Sequence, residues 1–499
     1  MARRHLGKDD HIFIILPEVN DMGDSAQLDK ELTAKPTIAT IEAQFKDCAD
    51  FVKREFANGM SVFYMVPLTG NNNLHRDIVQ PFADASREEA AGILGRAPYH
   101  RVAETGDCVD GILTGSAAIF LEDYVWLVDL SEQLGRSIEQ SETETVIAGP
   151  HDGFVENLFQ NVAVLRMRVR SSKLKTVLLS VGEISKTQVM IMYIDGVVNR
   201  EIVDNLINRI KSIEIDAVGE GNMLVQLIDE NPNSVFPQFM TTERPDAAAS
   251  KLTGGKIIGI VDGSPSVFSC PTAFFDFFAS PDDYYQRWLL GTALRLLRII
   301  GFVITIGFTA FYVSVTTFHY EMIPHTMLLN LTESRSKVPF PPLYEALLME
   351  TTIELLREAG ARLPTKIGQT IGIVGGIVIG QAAVQAGFTS NILIIAVATS
   401  AIASFVIPSY IMSASLRLIR FGLIILAGLL GNLGLFLGIT LMIIHLSGIT
   451  NLGASYLTPV APVNFRDMLD TFVRGPFWAL TRRPTISRTP NSVRVKKRI

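Results

Sequence analysis

The sequence predicts a water-soluble α/β domain of two similar subdomains, occupying the first ~285 residues, followed by an α-helical multi-pass membrane domain. Three observations lead there. Charge is spread very unevenly, with 50 consecutive residues from Ile367 to Leu416 free of Asp, Glu, Lys and Arg. A strand–turn–helix pattern occurs twice in the first half. The chain of 499 residues carries only 19% charged residues against 48% hydrophobic ones, a balance that favours lipid over water as the solvent for part of it.

The uncharged run decides the membrane reading. As one helix it would be ~75 Å long against a hydrocarbon core of ~30 Å, so it folds back at least once. Gly387-Phe388-Thr389-Ser390-Asn391 is the expected turn, which gives spans near 367–387 and 391–412. A further span is expected over 421–446, after Arg417 and Arg420, and another over the uncharged 299–318. That makes four spans, or five if the stretch around 340–360 also crosses. There Leu347, Leu348, Leu355 and Leu356 recur at helical spacing but Glu345, Glu350, Glu354 and Glu358 interrupt them. Three readings stay open: an amphipathic helix at the interface or packed under the bundle, a re-entrant or spanning polar helix along a water-filled path, and an ordinary extramembrane helix.

Orientation follows from the basic residues. From Asn464 to the end there are nine Arg or Lys against two Asp, which places the tail in the cytoplasm. Arg287, Arg295 and Arg298, before the first span, point the same way. The run Ile12 to Leu16 is too short for a signal-peptide core, so the N-terminal domain is also expected inside. With both ends inside, Arg417 and Arg420 would face outward and pair with headgroups or with protein.

Gly368, Gly372, Gly376 and Gly380 recur every fourth residue, placing four glycines on one helix face where another backbone can approach. Gly428, Gly431, Gly434 and Gly438 repeat the theme later. Packing within the subunit, packing between subunits and lining of a narrow pore all fit that face.

In the first half, the strand at Val62 and that at Val189 each lead into a turn and a helix pattern. Gly115 and Gly255 each open a paired apolar run, with Asp262-Gly263 as a hairpin turn. Matching these features implies a duplication. The expected division is a flexible segment over 1–40, subdomain 1 over 41–140, a linking amphipathic helix and basic segment over 141–187, subdomain 2 over 188–285, the membrane domain over 286–463, and a basic tail over 464–499. In the linking segment Phe154, Leu158, Val162 and Leu165 form an apolar stripe, and the basic residues from Arg166 to Lys175 read as a solvated face, with contact to anionic lipid as the alternative.

No covalent chemistry is expected. GxxxxGK[ST], HExxH and GxSxG are all missing, Cys48, Cys108 and Cys270 lack metal-ligand spacing, and His151-Asp152 reads as a helix cap. Accordingly, no catalytic, cofactor-binding or metal-binding residues are assigned. The net charge of −6 gives no reason to expect nucleic acid.

Several long stretches carry a family resemblance. FFASPDDYYQRWLLGTALRLLRIIGF, VTTFHYEMIP (315–324), VPFPPLYEALLMETTIELLREAGARLP (338–364), IGQTIGIVGGIVIGQAAVQAG (367–387) and IASFVIPSYIMSASLRLIRF (402–421) are joined by ENPNSVFPQFMTTERPDAAASKL (230–252). Together they resemble the spore germination receptor A-subunit (GerA) family over about 50–463. The resemblance implies a cytoplasmic two-part α/β domain and residence in the spore inner membrane. It implies two partners, a multi-span nutrient-binding B subunit and a lipoprotein C subunit, and a homo-oligomeric ring in the lipid bilayer that conducts cations when nutrient is sensed. The related paralogue that acts with the stage V channel would suit the same resemblance, and so would a non-conducting scaffold. Ile411 and Met412 follow Tyr410 where many relatives carry an acidic residue. Under this reading the glycine ladder is a packing or pore face, and Glu345, Glu350 and Glu354 are candidates for an ion path.

Overall fold

Strand pairing repeats itself in the α/β half. A computed structural model describes residues 33–131, 144, 148–363, 375–376 and 378–495. The chain divides into two units: residues 47–50 go with everything after the first sheet, and the remaining N-terminal residues form the other unit.

The first unit opens with α1 (Ile38–Gln44), capped by the Thr37 side chain, which accepts from Thr40 N. Strands β1 (Phe51–Glu55) and β2 (Ser61–Met65) form a hairpin. After them come α2 (71–82), α3 (Arg87–Leu94), β3 (His100–Val102), α4 (Thr105–Leu113), β4 (Ser116–Leu121) and β5 (Tyr124–Asp129). The sheet order is β1-β2-β4-β5-β3, antiparallel throughout. One core gathers Val62, Ile78, Phe82, Ile119, Val128 and Leu130.

The second unit repeats that order as β6-β7-β9-β10-β8. Its elements are α5 (Leu158–Arg168), β6 (Leu174–Val181), β7 (Thr187–Ile194), α6 (Arg200–Lys211), α7 (Gly221–Ile228), β8 (Met240–Thr242), α8 (Pro245–Thr253), β9 (Ile257–Val261) and β10 (Val267–Cys270). The two pairs matched by sequence, Val62 with Val189 and Gly115 with Gly255, fall at equivalent places in the two sheets. Alternate residues of β7 enter two different cores. Val189, Ile191 and Tyr193 pack with Ile202, Leu206 and Leu224 of α6 and α7. Met190, Met192 and Ile194 pack with Leu158, Val162 and Ala248 of α5 and α8. Helices on both faces explain why β7 reads as an unbroken apolar run. Each such buried side chain contributes roughly 1.5–3 kcal/mol.

One expected segment changes. The segment expected as a linker over 141–187 contains α5 and β6, which are a helix and a strand of the second sheet unit. Its apolar stripe is real, with Phe154, Leu158, Val162 and Leu165 all buried. The basic residues are not all solvated, because Arg166 is fully buried against Asp50. His151-Asp152 caps no helix either: α5 starts at Leu158 behind the Asn157 cap, and Asp152 pairs with Arg168.

The helical part holds α9 (Trp288–Phe318), α10 (His325–Arg335), α11 (Pro342–Arg362), α12 (Asn391–Phe405), α13 (Tyr410–Leu430) and α14 (Asn432–Gly448). Among the described residues two helices, α9 and α13, are long and apolar enough to cross a membrane, while α12 and α14 are shorter and apolar. Leu289, Leu297, Ile300, Val303, Leu429 and Phe436 are exposed on them, a surface that suits lipid rather than water.

These helices differ from the expected spans. α9 begins well before 299, so Arg295 and Arg298 lie inside it, where both bond to Asp283. The expected 391–412 ends at Phe405, ahead of Pro408, whose ring cannot continue a helix. The expected 421–446 is two helices, broken at Gly431, whose φ of +63° belongs to the left-handed region that glycine enters freely. The uncharged stretch of 421–446 hid a corner, because a glycine turn carries no charge. Much of the expected 367–387 span lies outside the described residues.

The basic tail is folded back. α15 (Phe465–Thr471) is followed by a segment in which Arg483 donates to the carbonyl oxygens of Thr253, Asn491 and Val493, and Ile486 is buried beside Ala273 and Ala454.

Candidate functional site

Helix α11 carries the chemistry that the sequence marked and turns it inward. Glu345 and Glu350 are 1% and 0% exposed, so these two acids turn away from water, while Glu358 on the same helix stays exposed. Helix periodicity sets the arrangement: Glu350 and Glu354 are four residues apart on α11, and Arg417 and Arg420 three apart on α13, so each pair shares a face.

Those faces meet. Arg420 Nη2 lies 2.7 Å from Glu350 Oε2, with both side chains fully buried. The contact is an ion pair rather than an aligned hydrogen bond, since neither atom has a hydrogen-bond partner. Thr309 Oγ1 of α9 donates to Glu350 Oε1 at 2.9 Å, and Arg420 Nη1 donates to Ser400 Oγ of α12 at 2.9 Å. One turn away, Arg417 Nε donates to Glu354 Oε1 at 3.0 Å and Arg417 Nη1 to Ser413 Oγ at 3.1 Å. Arg357 Nη1 is 3.9 Å from Glu354 Oε2, and its Nη2 donates to Ser404 Oγ at 3.0 Å. Four helices therefore converge on a cluster of two glutamates, Glu350 and Glu354, and three arginines, Arg357, Arg417 and Arg420.

Glu345 sits apart from the arginines. Its Oε1 accepts from the Ser390 backbone N–H at 2.5 Å and from Thr389 Oγ1 at 3.2 Å, at the N-terminus of α12. A carboxylate there faces the unsatisfied amides and the positive end of the helix dipole. The structure thus splits the three candidate glutamates into a helix-end anchor and two members of an ion cluster. Arg417 and Arg420, expected to face outward, are buried mid-helix. The signal that could have paired them was the match between the four-residue and three-residue spacings on the two helices.

Of the glycine ladder, Gly368 and Gly372 lie outside the described residues. At Gly376 and Gly380 an added Cβ would meet no described atom within 4 Å. The later glycines are different: a Cβ at Gly428 would sit 2.6 Å from Leu343 Cδ1, and one at Gly434 or Gly438 would overlap Leu426 or Leu423. The later set packs within the chain, and the ladder's described part leaves its face open.

A loop joins the α/β half to this bundle. Residues 229–239 leave α7 and press onto the helical part: Ser234 Oγ is 2.9 Å from His445 Nε2, Ser415 Oγ donates to Val235 O at 2.6 Å, and Tyr456 OH donates to Pro237 O at 2.5 Å. Asn451 Nδ2 also donates to Gln238 O. Phe236 enters the bundle core, edge-on to Phe274, which packs in turn on Phe278, Phe302 and Tyr456. The ENPNSVFPQF stretch is thus the mechanical joint of the second unit.

An α/β unit tied by an aromatic joint to a helical part, with two helices long and apolar enough to cross a membrane, is the build of an α/β protein with a candidate membrane domain. Residues 39–486 match the family described as Bacillus/Clostridium GerA spore germination protein, and the chain belongs to that family. It is 42% identical over 458 residues to spore germination protein GerQA of Bacillus cereus, covering 90% of this chain and 92% of that protein. It is 36% identical over 478 residues to spore germination protein KA of Bacillus subtilis (strain 168), covering 92% and 88%. Uncharacterized membrane protein YfkQ of the same strain is 34% identical over 463 residues, covering 90% of each. Among solved structures, the N-terminal domain of the A subunit of the Bacillus megaterium spore germinant receptor GerK3 aligns with a TM-score of 0.35 and 21% identity, over 48% of this chain and 97% of that one. The family match reaches further than the 50–463 read from sequence and takes in part of the tail.

Proposed function

We propose that this chain is the A subunit of a nutrient-responsive germination receptor. It works in the spore inner membrane with a multi-span B subunit and a lipoprotein C subunit, its α/β half and C-terminal tail on the cytoplasmic side. It does no covalent chemistry. The observation that carries the reading is the reach of the family match: residues 39–486 include the α/β half, the joint and the helical part, so the chain resembles its germination relatives as a whole. Several copies assemble and pass cations when nutrient binds the partner. Support for assembly comes from the face at Gly376 and Gly380, which no described residue covers.

Removing the gene from a spore-forming host and following nutrient-triggered release of potassium tests the role. Spores lacking the chain should fail to respond to at least one nutrient while still germinating under pressure or surfactant. An unchanged response to every nutrient removes the receptor role.

A non-conducting scaffold is the second reading, favoured by the pairing of Glu350 and Glu354 with Arg420 and Arg417, which leaves little unbalanced negative charge to attract cations. Purified chain in liposomes separates the two: a conductor passes potassium without its partners, and a scaffold does not.

A further inference from the structure

The second unit contains a cavity of about 970 Å³ that the ion cluster does not touch. Its walls come from α8, from 273–285 just ahead of α9, and from the folded-back tail. A volume of this order is what small ligands of drug or nucleotide size occupy, roughly 300–1,000 Å³.

Charge in the cavity is lopsided once internal partners are accounted for. Each of its four carboxylates is already engaged. Asp246 is held by Arg244 and by Tyr285 OH, and Asp276 by Lys256 and the Ala273 N–H. Asp467 accepts from the Thr485 N–H at 2.8 Å, and Asp470 from Tyr284 OH at 2.7 Å. Three of the cations make no such contact, Arg494 acting on Asp470 only from beyond ion-pair distance. The side chains of Arg466, Arg482 and Arg494 line the cavity, are exposed, and make no hydrogen bond or ion pair with described residues. Lys251 lies deeper and donates to Ser269 Oγ at 3.2 Å. Burial, with Lys256 nearby, pulls its ammonium down to about 8 despite Glu144 and Asp276, and an anion placed there would raise it again.

We propose that this cavity binds a phosphate-bearing anion through Arg466, Arg482 and Arg494. Guanidinium groups present paired donors that match phosphate oxygens, and three lining one cavity are suited to a multiply charged group. Phe275, Leu469 and Phe477 supply an apolar side for the rest of the molecule. The phosphate belongs either to a soluble organophosphate or to the headgroup of an anionic lipid, which the position just ahead of α9 brings within reach. Since the tail supplies all three arginines, occupancy would also pin the tail against the α/β half.

The test uses the full chain in detergent and in nanodiscs. Pyrophosphate is titrated calorimetrically in detergent, and the thermal midpoint is compared between phosphatidylglycerol and phosphatidylcholine nanodiscs. Pyrophosphate binding identifies a soluble source, and a higher midpoint in phosphatidylglycerol alone identifies lipid. In either case Arg466→Gln/Arg482→Gln/Arg494→Gln should weaken the response at least about tenfold. Lys211→Gln, an exposed change elsewhere on the α/β half, should leave it as it is. Arg482→Gln alone, which loses no side-chain partner, keeps the test readable if the triple variant folds poorly, with a weakening of about threefold expected. No response to either probe, or a response that survives the arginine changes, overturns the proposal.

Discussion

Glu350 and Arg420 touch at 2.7 Å with neither side chain open to solvent. A buried pair of this kind gives little net stability, because both charges were stripped of water to make it. Breaking it by removing one partner is costly, since the other is left buried and uncompensated. Arg420→Met should therefore destabilise the helical part by about 3–5 kcal/mol, and Glu350→Gln/Arg420→Met should recover much of the loss. Thermal unfolding of the detergent-solubilised chain reads both. If the single variant melts with the wild type, the pair does not hold α11 against α13.

The two glycine sets should respond in opposite ways to the same change. Gly434 has no room for a Cβ beside the Leu426 carbonyl, so Gly434→Leu should unfold or mispack the chain. Gly376 is exposed and open, so Gly376→Leu should leave the melting temperature of the single chain unchanged. If the ladder meets another copy, that same leucine should lower the mass of the assembly measured by light scattering in detergent. An assembly of unaltered mass would take Gly376 out of any interface.

How much of this was legible beforehand depends on whether a signal is local. The duplication was readable, because β2 and β7, and the β4–β5 and β9–β10 hairpins, carry their own apolar runs and turn glycines. β1 and β6 were missed at the repeat starts: Phe51–Glu55 is half polar, and β6 sits behind a basic run that looked like a linker. The glutamates of α11 were singled out, but the α13 arginines that pair with Glu350 and Glu354 lie more than 60 residues on, and nothing local says that Arg417 faces Glu354 rather than water. The arginine-lined cavity was invisible for the same reason, being assembled from segments about 200 residues apart.

Asp229 should give the fold a pH dependence. It follows α7 directly, one of its carboxylate oxygens has no hydrogen-bond partner, and burial raises it from 3.8 to about 6. The folded state therefore holds this proton more tightly than the unfolded chain. The stability linked to it is fully present below about 3.8 and is lost as pH rises through about 6. Asp229→Asn keeps a neutral group at all pH, so it should raise the melting temperature at pH 7 and change it little at pH 4. A variant with equal effects at the two values would mean that the carboxyl titrates normally.

The geometry around Arg166 separates charge from shape. Its Nε and Nη2 donate to the two oxygens of Asp50 at 2.7 and 2.8 Å, and its Nη1 donates to Leu174 O at 2.9 Å. Thr176 Oγ1 completes the carboxylate at 2.7 Å, and the Ala49 N–H donates to Thr176 O at 3.0 Å. The arginine thereby ties the 47–50 segment to the first strand of the second sheet, a β6 edge that would otherwise lie bare. Lysine keeps the charge but cannot make the forked contact and also reach Leu174 O, so it leaves buried acceptors unpaired. Arg166→Lys is expected to cost about 2–4 kcal/mol, as a buried network loses two of its donors. The loss should be local. Amide hydrogen exchange in the full chain should speed up across Leu174–Val181 and stay unchanged in α9 and α13. Protection in β6 equal to that of the wild type would mean that the charge alone holds the edge, and that the fork adds nothing.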